Sequence, residues 1–100
     1  MINYNKLVRD KIPEILSKKG IIYQKRIASS REYKIELIKK LEEEVKEFLE
    51  KKDIYELADI MEVIEAIKEL PEYKNVKEIK KEKKKQRGGF KKRIILKGQK

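Results

Sequence analysis

The sequence predicts a mainly α-helical protein: a bundle with two long antiparallel helices and a basic third helix, in a single domain over residues 1–100. Three observations predict this class. Apolar residues recur at helical spacing through two long segments, and residues that start and stop helices flank those segments. In addition, 46% of the residues are charged, which is typical of helices with solvated outer faces. A small two-stranded β-ribbon can complete the fold.

The chain begins with a short helix and a candidate strand. Asp10 is the predicted N-cap of the helix, Pro13 fits its first turn, and Gly20 follows its end. Residues 21–28 are rich in β-forming side chains and predict a strand. Residues 90–97 have the same character, so the two segments can pair, although such a ribbon is marginal without helices packed on it.

Two long helices follow. The first is predicted over residues 31–51, with Ser29 or Ser30 as its N-cap, and it carries a single apolar stripe. The second is predicted over about residues 54–70, with Asp53 as its N-cap. The short connection between them predicts an antiparallel hairpin.

The second long helix is apolar on two sides. One stripe consists of Ile54, Leu57, Ile60, Met61, Ile64 and Ile67. The other contains Val63, Ala66 and Leu70, and two acids, Asp59 and Glu56, extend it toward the N-terminus. A helix that is apolar on two sides is buried on two sides, so a second subunit is the expected partner. Carboxylates at such a position need a counter-charge, because burying an unpaired charge is costly.

The remaining segment is strongly basic. A third helix is predicted over residues 72–87 and breaks at Gly88-Gly89. Residues 76–100 hold 12 basic and 2 acidic side chains, which accounts for the whole net charge of +10. Such a tail is typical of a solvated helix face or of a nucleic-acid contact, and it can also neutralise a polyphosphate substrate.

The absence of two residue types limits the kinds of catalytic and metal site that the chain can form. The sequence has no histidine and no cysteine, which excludes thiol and Ser–His nucleophiles, zinc ribbons and His-bound transition metals. A metal must therefore be held by oxygen, and a general base must be Asp, Glu, Lys or Tyr. No apolar run approaches the length of a membrane span, and the first residues do not resemble a signal peptide, so no membrane contact and a cytoplasmic location are expected.

Two acidic motifs are the main functional candidates. The first is Glu43-Glu44-Val45-Lys46-Glu47, and the second is Glu56-Leu57-Ala58-Asp59. In each motif, acids three residues apart lie on one helix face, and a hairpin brings up to four carboxylates together. Crowded carboxylates repel one another unless a cation or protons neutralise them, which predicts a site for a hard divalent metal such as Mg²⁺. The plain alternative is a pair of solvated helix faces.

These motifs give the chain a family resemblance. It resembles MazG-like nucleoside triphosphate pyrophosphohydrolases, in the all-α superfamily that includes phosphoribosyl-ATP pyrophosphohydrolase, whose signature is Glu-Glu-x-x-Glu followed by Glu-x-x-Asp. The opening Tyr4–Pro13 and the ending Lys84–Phe90 are similar to those of one small branch of that family. Only eight residues separate the two motifs here, fewer than in many members, whose longer connections help to shape the nucleotide pocket.

The resemblance implies a nucleotide substrate, cleavage between its α- and β-phosphates, and release of a monophosphate and pyrophosphate. It also implies a homodimer or higher homo-oligomer. On this hypothesis Mg²⁺, for which Mn²⁺ can substitute, is held by Glu44, Glu47, Glu56 and Asp59 and orients a water. The general base is then Glu43 or Glu47, with solvent exposure as the plain alternative for Glu43.

Cationic and aromatic residues near the chain ends are the substrate-binding candidates. Lys6, Arg9 and Lys11 are the first candidates for phosphate contacts, and Arg87, Lys91 and Lys92 are the second. Phe90 is the candidate for stacking on the base. The plain alternatives are surface charge before a helix and a helix stop followed by a strand. Two rival functions stay open: a basic nucleic-acid-binding or regulatory module, and a structural helical protein with a degenerate acidic site.

Overall fold

The computed structural model describes residues 5–99, and its regular structure is helical. The elements are α1 (Ile12–Lys18), α2 (Ser30–Lys51), α3 (Ile54–Lys68), a 3-10 turn (Pro71–Tyr73) and α4 (Val76–Arg87). No strand forms within residues 5–99. Tyr4, the first residue of the opening motif, lies outside the described residues.

The central unit is the hairpin of α2 and α3, and local sequence sets its register. The Ser29 side chain accepts a hydrogen bond from the backbone N–H of Glu32, and the Asp53 side chain accepts one from that of Glu56. Both predicted caps are thereby confirmed. Between the helices, Lys52 adopts a left-handed conformation with φ 53°, which reverses the chain within two residues.

A small apolar core joins the two helices. Leu37 of α2 packs with Val63 and Leu70 from α3 and the residues that follow it. The partly buried side chains around this cluster are Leu7, Leu41, Ala66 and Ile67. Leu7 belongs to the segment before α1, so the N-terminal part of the chain is anchored on the hairpin. An ion pair between Lys34 and Glu72 fastens the 3-10 turn to α2.

The predicted strands at residues 21–28 and 90–97 are wrong. Large apolar side chains in both segments stay in solvent, because Ile27 is 92% exposed and Leu96 is 90% exposed. A ribbon of two strands needs a packed layer beneath it, and no helix supplies one within the described residues. The first segment is instead a connection without regular structure, and Arg26 ties it to the start of α2 by two hydrogen bonds of 2.6 Å to the Glu32 carboxylate.

Three helix boundaries also differ from the predictions. The N-cap of α1 is Lys11 rather than Asp10, because the chain turns one residue later, where the backbone N–H of Ile12 donates to the carbonyl of Arg9. The second long helix ends at Lys68, two residues short of the predicted end, and the chain then enters the 3-10 turn. The predicted third helix over 72–87 is interrupted, and only Val76–Arg87 forms an α-helix.

The helix α4 and the chain beyond it stand apart from the hairpin. Every residue from 71 to 99 is exposed. Gly88 ends α4 with φ 78°, a backbone conformation that favours glycine. Across residues 5–99, none of the helices combines the length and the apolar composition needed to cross a bilayer.

Candidate metal centre

The hairpin turn brings the acidic residues of both helices to one place. The Asp53 cap begins α3 so that Glu56 falls in its first turn, where the helix dipole favours a negative charge. Asp59 follows one turn later on the same face. Glu44 lies on the facing side of α2, seven residues before that helix ends at Lys51.

Three carboxylates form a close group, which we call the acidic cluster: Glu44, Glu56 and Asp59. Each contributes one oxygen, and these oxygens all lie within 4.8 Å of one another. Glu44 is 7% exposed and Glu56 is 9% exposed, while Asp59 is half-buried. Charged side chains are rarely this buried without a partner, so the cluster requires a source of positive charge.

Two oxygens in the acidic cluster lack a hydrogen-bond partner. Within the part of the chain that the structure describes, Oε2 of Glu44 and Oε2 of Glu56 are buried and accept no hydrogen bond. A buried acceptor without a partner carries its full desolvation cost. A hard divalent cation takes several oxygen ligands and favours carboxylates, so the donor set fits such an ion. The three carboxylates could therefore hold a metal ion.

The protonation behaviour of Glu56 reflects this crowding. Burial raises the pKa of Glu56 above its ordinary value, and the neighbouring Glu47 carboxyl raises it further. The Lys51 ammonium acts in the opposite direction but does not cancel the effect. The same hydrogen bond between Lys51 and Glu56 raises the pKa of Lys51. A cation bound at the cluster would favour the ionised form of Glu56.

Each member of the acidic cluster also has a basic neighbour. Lys40 Nζ lies 3.6 Å from Glu44 Oε1, and Lys51 Nζ lies 3.4 Å from Glu56 Oε1. Arg9 Nη2 donates to Asp59 Oδ1 over 3.1 Å. Side-chain cations thus supply part of the counter-charge, and a metal ion entering the cluster would compete with them.

The two other predicted acids lie at the edge of the cluster. Glu47 is half-buried and lies close enough to Glu56 to influence its pKa, but it is outside the group of three. Glu43 was a candidate general base, with solvent exposure as the plain alternative. It is half-buried because Lys6 Nζ, at 3.2 Å, and Lys40 Nζ, at 3.7 Å, enclose its carboxylate.

The predicted phosphate-binding residues separate into two sets. Lys6 and Arg9 reach the acidic motifs through their ion pairs with Glu43 and Asp59. Lys11 is exposed at the start of α1. The remaining candidates lie at the end of α4 or beyond it, are exposed and form no described contact with the cluster: Arg87, Lys91, Lys92 and Phe90.

Sequence reasoning did not single out Lys40 and Lys51. Lys40 precedes Glu44 by four residues on α2, a spacing that places the two side chains on one helix face. That signal was readable in the sequence. The pairing of Lys51 with Glu56 depends on the left-handed turn at Lys52, which no sequence pattern specified.

Comparisons with known proteins add no relative to this description. No protein-family model, no curated protein and no solved structure matches the chain. The function must therefore be argued from the residues and their geometry.

Proposed function

We propose that this protein is a Mg²⁺-dependent nucleotide pyrophosphohydrolase, which cleaves a nucleoside triphosphate between its α- and β-phosphates to give the monophosphate and pyrophosphate. The observation that carries the proposal is the pair of buried, unpartnered oxygens on Glu44 and Glu56, beside the Asp59 carboxylate. The similarity of the two acidic motifs to those of MazG-like enzymes supports the reaction type.

Glu44, Glu56 and Asp59 would hold the metal, with Glu47 at the edge of the site. When bound, Mg²⁺ supplies charge neutralisation for the phosphates and acidifies a coordinated water. The chain's own contribution is to fix these carboxylates in a partly dry site, where electrostatic interactions are stronger than in water. The short hairpin turn and its Asp53 cap hold that arrangement in place.

Glu47 is the better candidate for the general base. Glu43, the alternative, is occupied by ion pairs with Lys6 and Lys40. Within residues 5–99, Glu47 forms no ion pair, so no side-chain cation competes with water for its carboxylate. Its position beside Glu56 places that proton acceptor next to the proposed metal.

Lys6 and Arg9 are proposed to bind the substrate phosphates. Both already lie against acidic residues of the site, so a phosphate entering there replaces one anionic partner with another. Hydrogen bonds from a guanidinium to a phosphate are charge-assisted and can be bidentate, which suits Arg9 to orient the reacting group. Leu7, between them, packs on the core and holds this segment against the hairpin.

The enzyme is further proposed to act as a homodimer. The side chains of one apolar stripe of α3 remain in solvent: Ile54, Leu57, Met61 and Ile64. On α2, the exposed apolar side chains are Ile35, Ile38, Val45 and Leu49. With about 100° of rotation per residue, each set lies on its own helix away from the residues of the acidic cluster. A second hairpin packed on these side chains would complete a four-helix bundle.

A nucleotide panel tests the reaction. Pyrophosphate release should be measured from canonical and modified nucleoside triphosphates, with Mg²⁺ and with EDTA. The expected result is Mg²⁺-dependent release, with the nucleoside monophosphate as the other product. Glu44→Gln should reduce turnover by about 10²-fold or more, the scale seen when one group that stabilises the transition state is lost.

A matched variant separates the site from general charge effects. Glu42 lies two residues from Glu44 on α2 but is exposed, so Glu42→Gln removes the same charge without touching the cluster. It should retain wild-type turnover. Equal activity in Glu44→Gln and the wild type, or release that persists in EDTA, would contradict the proposal.

A further inference from the structure

The helix α4 carries most of its cationic side chains on one side, with Lys83 outside that group. Counting about 100° per residue, six cationic side chains fall within an arc of about 160°. These residues, which we call the basic ridge, are Lys77, Lys80, Lys81, Lys84, Lys85 and Arg87. The two acidic residues of the helix, Glu78 and Glu82, lie beyond one edge of the ridge.

The charges of the basic ridge are not neutralised by the protein. Within the described chain, no lysine or arginine of α4 forms an ion pair, and Glu82 instead accepts a hydrogen bond of 3.2 Å from Gln86 Nε2. Every residue of α4 is exposed. The hairpin and its acidic cluster therefore leave this positive surface free to meet a partner.

The composition of the ridge identifies the class of partner. We propose that α4 is a docking surface for the phosphate backbone of duplex DNA, separate from the proposed hydrolytic site. Five of the six ridge residues are lysines, whose ammonium groups act as point charges toward phosphate and lack the fork with which arginine reads base edges. Arg87 alone cannot read a sequence, so the expected binding is largely independent of DNA sequence. The only apolar residues of α4 are Val76 and Ile79, too few for the apolar face that a membrane-surface helix needs.

The dimensions of α4 agree with a duplex. Its 12 residues are about 18 Å long, which matches roughly five base-pair steps. An α-helix fits the major groove of B-form DNA, whereas the major groove of A-form RNA is too narrow to admit one. No aromatic residue lies within α4, so the helix has no platform on which unpaired bases could stack.

Salt dependence of DNA binding tests the proposal. Fluorescence anisotropy with a labelled duplex of arbitrary sequence, in EDTA and over a range of KCl concentrations, gives the association constant. If five or six phosphates are neutralised, log K should fall against log salt with a slope of about −5. Affinity should then drop about 10³-fold between 50 and 200 mM salt.

Two variants with equal net charge separate the ridge from overall charge. The ridge variant carries Lys77→Gln, Lys81→Gln and Lys84→Gln. The control carries Lys19→Gln, Lys25→Gln and Lys46→Gln, all at exposed positions outside α4. Glutamine is a good helix former, so circular dichroism should show unchanged helix content in both.

The ridge variant should lose about 3 units of the salt slope, while the control keeps the wild-type slope. Glu44→Gln should bind DNA like the wild type, which distinguishes this proposal from the hydrolytic one. Equal losses in the ridge and control variants would overturn the proposal, as would the absence of duplex binding at low salt. Tighter binding to a single strand, or to vesicles of anionic lipid, would overturn the choice of duplex DNA.

Discussion

The exposed apolar side of the hairpin makes a quantitative prediction about assembly. Met61 is 60% exposed, so Met61→Lys leaves the core of the single chain intact. In a two-fold dimer the substitution acts at both copies of the site. We therefore expect Met61→Lys to shift the protein from dimer to monomer without unfolding it.

The size of the effect follows from the exposed fraction. Burying a whole methionine side chain contributes roughly 1.5–3 kcal/mol, so the 60% left exposed corresponds to about 1–2 kcal/mol. Two copies give about 2–4 kcal/mol, which weakens dimerisation by roughly 10²-fold. Desolvation of the lysine ammonium adds to this loss.

Sedimentation velocity over a range of protein concentrations measures the change. Tyr55→Lys provides the matched control, because Tyr55 is also on α3, is 77% exposed and points away from the apolar side. The control should dimerise like the wild type. A wild-type protein that is monomeric at every concentration would rule out the proposed dimer. A Met61→Lys variant that dimerises normally would rule out Met61 as part of its interface.

Other outcomes are expected at the acidic cluster. In EDTA, Glu56→Gln should raise the unfolding temperature at pH 7, because the raised pKa of Glu56 means that folding disfavours its ionised form. This rise in unfolding temperature should disappear at about pH 3.5, where the carboxyl is protonated in folded and unfolded chains alike. Calorimetry that shows no rise at pH 7 would contradict the prediction. Lys51→Gln removes the ammonium that lies 3.4 Å from Glu56 Oε1 and would compete with a metal ion. Calorimetric titration should therefore show tighter Mg²⁺ binding than in the wild type. Weaker binding would contradict this competition. Arg9→Gln should raise KM for the nucleotide about 10-fold through loss of a charge-assisted hydrogen bond, and a change confined to kcat in steady-state kinetics would argue against phosphate binding by Arg9.

Local physical chemistry accounts for the features that sequence predicted well. Ser29 and Asp53 could be recognised as caps because their side chains bond to backbone groups only three residues away. Helical spacing also predicted a group of four carboxylates, of which Glu44, Glu56 and Asp59 lie together while Glu47 lies outside the group. Helix caps and apolar stripes depend on residues that are close together in the sequence, so a single sequence is sufficient to predict them.

The features that sequence missed depend on distant parts of the chain. Residues 21–28 have strand-like composition, but a strand needs a partner and a packed layer, and the fold provides neither within residues 5–99. For Glu43, a candidate general base with solvent as its plain alternative, the ion pair with Lys6 was not predicted, because it joins residues 37 positions apart. The pairing of Arg9 with Asp59, 50 positions apart, was equally invisible to helical periodicity.

The proposed reaction depends on metal binding by the acidic cluster, which electron paramagnetic resonance of Mn²⁺ measures. Titration with wild-type protein should reduce the signal of free Mn²⁺ with at least one ion bound per chain, and Mg²⁺ should restore the signal. Glu44→Gln and Asp59→Asn should each weaken binding about 10-fold or more, whereas Glu42→Gln should bind like the wild type. No Mn²⁺ binding by the wild type, or unchanged binding by both cluster variants, would rule out a metal centre at the acidic cluster.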